Sequence, residues 1–167
     1  MSSQKMTTKA EIDAFMAATK RSVVSLNWRE KLSKKDPQWW EFVSGVEVDG
    51  VVLEDVQFIV QWRPGVGAAS DKYNCGLLYL CDRVYAVDFD PDVRHTNKVG
   101  KGRGLYGSQF GPGTHEHTWS EDGYGYAEPI SPDFPNFLAL FDFFCQKANL
   151  IVEGGFKSPP STQMNLL

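Results

Sequence analysis

Apolar residues recur along this chain with two different periods, and the switch between them marks its elements. Ile12, Phe15, Met16, Thr19 and Val23 share one face at helical spacing, and Thr8 precedes Glu11 by three residues, the spacing of a capping box. The pattern predicts a helix from about Lys9 to Arg21. Alternating charges from Asn27 to Pro37 (Arg29, Glu30, Lys31, Lys34, Lys35, Asp36) then read as a solvated connector.

From Trp39 to Trp62 the period becomes two, in runs rich in Val, Phe and Ile joined at Asp49-Gly50. That dipeptide supplies the positive φ of a tight hairpin turn. Arg63-Pro64-Gly65-Val66-Gly67 breaks the ladder. Tyr73 to Cys81 and Val84 to Asp90 predict a second hairpin around Asp82-Arg83, and Thr114 to Ser120 and Tyr124 to Ile130 a third around Glu121-Asp122-Gly123. Asp133 is expected to cap a second helix with Pro135 in its first turn and Phe137, Leu138, Phe141, Phe144, Cys145 and Ala148 as its apolar stripe. Leu150 to Phe156 reads as one more strand.

The expected fold is α+β: a single domain over residues 1–167, with an antiparallel, curled sheet of about six or seven strands and one helix near each end. Residues 1–7 and 157–167 are expected to be loosely ordered tails. With 42% hydrophobic residues the chain can bury a core without metals or disulfides. Five Trp, six Tyr and eleven Phe supply most of that burial. A net charge of -4 argues against gripping nucleic acid through the overall field and leaves only local basic loops for that task. Cys75, Cys81 and Cys145 are odd in number and form no C-x-x-C. Together with the lack of an apolar leader or spanning run, they lead to the expectation of a cytoplasmic protein that does not engage a membrane.

All three histidines lie between Arg94 and Glu128. His115 and His117 share a strand face, which Trp119 continues, and His95 precedes a glycine-rich loop that could bring it to them. If they converge, they can serve three ends. The first is acid–base chemistry on a phosphodiester of RNA or a nucleotide, with His95, His115 and His117 exchanging protons and Arg94, Lys98, Lys101 and Arg103 contacting phosphate. The second is a zinc, iron or nickel site with Glu121 as carboxylate, since His-x-His followed four residues later by Glu resembles the cupin pattern. Gln109 stands where that pattern expects glycine, and its second motif is absent. The third is purely structural: satisfied histidines holding the loop to the sheet, with Asn97 starting a turn and Arg94 pairing Asp90 or Asp92. Asp88, Asp90 and Asp92 alternate on one face of an extended chain, as turn residues or as oxygen ligands.

His95-Thr96-Asn97, Gly113-Thr114-His115-Glu116-His117-Thr118-Trp119, Gly125-Tyr126-Ala127-Glu128-Pro129-Ile130 and Phe141-Asp142-Phe143-Phe144-Cys145 together give a composite pattern. It resembles an uncharacterised family of small bacterial and phage proteins, over roughly residues 80 to 156. The resemblance implies a setting in mobile elements and phage–host conflict. Two classes fit that setting: a His-dependent, ribonuclease-like toxin or defence effector, and a non-enzymatic inhibitor that binds a protein partner or a signalling nucleotide.

Overall fold

The computed structural model describes residues 7–32 and 38–160. The charges of Lys34, Lys35 and Asp36 in the expected connector, and the ends of both expected tails, lie outside the described residues. Helix α1 (Lys9–Ala17) starts at the expected capping box, with Thr8 and Glu11 bonded reciprocally, and buries Ile12 and Phe15. It ends four residues before the expected Arg21. Ala18 turns extended and Lys20 enters the short strand β1 (Lys20–Ser22), so Val23 is exposed rather than on a helical stripe. The Lys20 ammonium is itself buried and donates to the carbonyls of Phe15, Met16 and Ala18, closing the last turn of the helix.

Strand β2 (Arg29–Glu30) falls in the expected connector. The first hairpin is β3 (Trp40–Val48) and β4 (Val51–Arg63), turning through Asp49 and Gly50, both at positive φ as that two-residue turn requires. Strands β5 (Lys72–Tyr79) and β6 (Asp82–Asp90) form the second hairpin, but its turn is Leu80-Cys81 and not Asp82-Arg83. Both turn residues take positive φ, at 50° and 69°, without glycine or asparagine. The apolar run decides the register there, against local turn preference. Short β7 (His95–Thr96) and β8 (Gln109–Phe110) pair with each other, and β9 (Gly113–Ser120) and β10 (Gly123–Pro129) form the third hairpin.

Helix α2 (Phe137–Ala148) is capped by Asn136, not by Asp133. The Asp133 carboxylate instead accepts from the Thr114 amide at 2.7 Å, pinning the approach to α2 against β9. The expected strand from Leu150 to Phe156 is reduced to β11 (Leu150–Ile151), which pairs in parallel with β1.

The main sheet is curled and runs β10-β9-β6-β5-β4-β3-β1-β11, with β2 alongside β3. It has more strands than the expected six or seven, because β1, β2 and β11 are too short for a period-two pattern to register. Phe58 and Tyr85 stack on Phe144, and Tyr73 on Phe137, so one face of the sheet carries α2. Phe15 of α1 packs on Tyr79 of that same face. The alternate residues of the strands face away from both helices, and there the histidines lie.

Candidate metal centre on the helix-free face

Cross-strand register builds the site. Asp88 on β6 stands opposite His115 on β9, and Ala86 opposite His117, so one carboxylate and two imidazoles share a face across neighbouring strands. His95 reaches the same spot from β7. Ring centroids lie 5.5 Å apart for His95–His115, 5.1 Å for His95–His117 and 4.8 Å for His115–His117. One ligand atom from each ring lies within 4.8 Å of the other two. The convergence required by the chemical readings is therefore present.

His95 is carried there by the loop, and Asn97 holds the loop. The Asn97 side chain is buried; it accepts from the Ala127 amide and donates to the carbonyls of Ala127 and Leu105. It thus extends the hydrogen-bonding edge of β10 rather than starting a turn. Beyond it the loop crosses that edge to the other side of the sheet, where the Leu105 amide donates to the Tyr126 hydroxyl.

Hydrogen bonds assign the ring protons. His95 Nε2 lies 3.0 Å from the Gly125 carbonyl and 3.2 Å from Asn97 Oδ1, both acceptors, so Nε2 carries the proton and Nδ1 keeps its lone pair. His115 Nδ1 lies 3.2 Å from the Gly113 carbonyl, which leaves Nε2 unprotonated. That nitrogen is 3.9 Å from Asp88 Oδ2. His117 Nε2 is 3.1 Å from the same oxygen, yet the pair is poorly aligned and neither His117 nitrogen has a directed hydrogen bond among the described residues. Burial, then the neighbouring His117, pushes the His95 and His115 pKa values down, which keeps these imidazoles neutral. Burial works to raise that of Asp88, but His117, Arg83 and His115 outweigh it and hold the carboxyl below its usual range.

Two residues that sequence reasoning passed over complete the surroundings. Arg83 donates to Asp88 Oδ1 at 2.9 Å and passes close to Gly76, where a Cβ would come 3.2 Å from its Nε. A Cβ at position 76 would require the guanidinium to give by a few tenths of an ångström. Tyr124 stacks on His117 with centroids 5.7 Å apart, and its buried hydroxyl has no partner among the described residues. Trp119 is the residue expected beside the histidines, as the continuation of the His115/His117 row. The β9–β10 register breaks between Gly123 and Tyr126, and Trp119 packs at the edge of the core instead.

Arg94 and Lys98 are exposed. Asp90 and Asp92 pair with Lys72, and Asp92 also approaches Arg63, so Arg94 is not their partner. Lys101, Arg103 and Glu121 line a cleft on the opposite, helix-bearing face, together with Tyr85 and Glu116. Asp88, and not Glu121, is the carboxylate at the histidines. Its signal was legible in the alternation of Asp88, Asp90 and Asp92, but not which of the three would matter. Among the described residues no helix is long and apolar enough to cross a membrane. In comparisons with known proteins, no family model, curated protein or solved structure matches the chain.

Proposed function

We propose that His95, His115 and His117 bind a divalent first-row transition metal, with Asp88 as a fourth ligand or as the carboxylate that orients His117. The observation that carries this is the tautomer pattern. Two of the three imidazoles donate one ring N–H to a backbone carbonyl and keep the other nitrogen as a lone pair in a cluster that contains an ionised carboxylate. Backbone carbonyls commonly orient metal-binding histidines in this way.

The dimensions support the same reading. Nitrogens on a tetrahedral zinc at about 2.0–2.1 Å from the ion sit roughly 3.3 Å from one another. A 4.8 Å spread therefore has to contract by about 1.5 Å at most, which small χ rotations supply. Zinc, iron(II) and nickel all suit such an imidazole-rich set. The free Tyr124 hydroxyl beside His117 suits a water on an open coordination position.

Metal-free acid–base chemistry on a phosphodiester has less support. Lys101 and Arg103, two of the four expected phosphate contacts, lie on the other face. The direct test is elemental analysis of the purified, untagged protein beside its His95→Ala and His117→Ala variants. Near-stoichiometric metal that is lost in both variants is expected. A wild-type protein that holds no metal, and takes up none from added zinc, iron(II) or nickel, overturns the proposal.

A further inference from the structure

On the helix-bearing face, α1, β6, β9, the loop after Val99 and the end of α2 leave a cleft of about 730 Å³. That is the size of a small-molecule site. Its lining is amphipathic in a specific way. Ile12, Met16 and Val84 give an apolar floor, and the indole of Trp119 gives a half-buried aromatic wall. Tyr85 donates to Glu116 Oε2 at 2.9 Å; burial, then that carboxylate, keeps the phenol protonated. One donated bond leaves Glu116 with acceptor capacity to spare, since an ionised carboxylate offers about four lone-pair sites. Glu116 is half-buried on this lining, so its spare acceptor positions are open to the N–H groups of a ligand.

The rim adds a charge preference. Lys101 has no ion partner among the described residues, and Arg103 lies 3.6 Å over the Tyr126 ring with Glu128 at 3.7 Å. Of the rim carboxylates, Asp13 pairs Lys9 and Asp122 accepts from the amides of Gly100 and Lys101, which leaves exposed Glu121 as the one without an ion partner among the described residues. The ligand chemistry implied is a planar ring with adjacent N–H donors and an anionic tail.

We propose that this cleft binds a guanine nucleotide. The base lies against Trp119 and its N1–H and exocyclic amine donate to Glu116, while the phosphate is met by Lys101 and Arg103. Adenine presents a ring-nitrogen acceptor on the same edge and would set a lone pair against the carboxylate. The site is separate from the histidine cluster, because Glu116 and its neighbours His115 and His117 alternate across the sheet.

Isothermal titration of the full chain with GMP and AMP tests the assignment. GMP is expected to bind about tenfold or more tighter than AMP, the scale of one charge-assisted hydrogen bond. Glu116→Gln is expected to abolish that preference, and Lys101→Ala to weaken GMP roughly threefold to tenfold while leaving guanosine unchanged. Lys101 is exposed, so its variant tests the site without threatening the fold. Absence of GMP binding at millimolar concentration, equal affinity for AMP and GMP, or undiminished GMP preference in Glu116→Gln overturns the proposal. None of these outcomes depends on whether the histidines hold a metal.

Discussion

The Asn97 side chain lies along the outer edge of Ala127, accepting from its amide at 2.7 Å and donating to its carbonyl at 2.8 Å. One amide group thus does for the edge strand what the backbone of another strand would do. It also fixes the start of the loop, because the Asn97 backbone pairs with Ser108 and Gly107. His95, two residues away, owes its position to this clamp.

Asn97→Ala should therefore leave buried groups of Ala127 and Leu105 unpaired and release the loop. A loss of about 2–4 kcal/mol is expected, as each orphaned buried group costs about 1–3 kcal/mol. Urea denaturation measures it. If His95 depends on the clamp, metal uptake falls in the same variant even under conditions where it stays folded.

Asp88→Asn removes the negative charge between His117 and Arg83 while preserving shape. Loss of a carboxylate beside a metal-bound histidine typically lowers affinity about 10–100-fold. Competition with a chelating dye should show a drop of this size for zinc. Unchanged affinity would leave Asp88 outside the metal's influence.

Lys20 makes the protein's stability depend on alkaline pH in a definite direction. Burial pushes its pKa from 10.5 down to about 8, even though three carbonyls favour the ammonium. Between those two values the unfolded chain holds more protons than the folded one, so this group's contribution to stability rises with pH, and below about 8 it is flat. Buried Cys75, whose pKa burial raises, acts oppositely as pH rises. The difference between wild type and Lys20→Met isolates the lysine. Denaturation at pH 7.5 and 9.5 should show wild type gaining up to about 2 kcal/mol relative to the variant.

Leu80 and Cys81 occupy left-handed backbone that ordinary side chains adopt at a cost of about 1–2 kcal/mol per residue. Replacing the pair with Asn-Gly, the preferred occupants of such a turn, should stabilise the protein by about 1–2 kcal/mol. A rise in the urea midpoint at unchanged slope is the expected reading. A fall would mean that Leu80 or Cys81 contributes packing that outweighs the backbone strain.

What the chain determined by itself was local. The Thr8–Glu11 capping box, the Asp49-Gly50 turn, the shared face of His115 and His117 and most of the apolar stripe of α2 each follow from residues a few positions apart, although Leu138, expected on that stripe, is exposed and Leu140 is buried in its place. The same locality explains the misplacements. Asp82-Arg83 looks like the better turn and Asp133 the better cap, but strand pairing spent both elsewhere: Asp82 pairs with Tyr79, and Asp133 holds the Thr114 amide. Tertiary structure alone decided the site. Asp88 meets the histidines because β6 and β9, far apart in sequence, are paired in one register, and a shift of one residue would turn it to the other face. His95 joins them, and Lys101 and Arg103 part from them, because one loop crosses the β10 edge with Asn97 as its fastening. No local pattern encodes on which side of an edge a loop continues; that depends on contacts made only once the sheet exists.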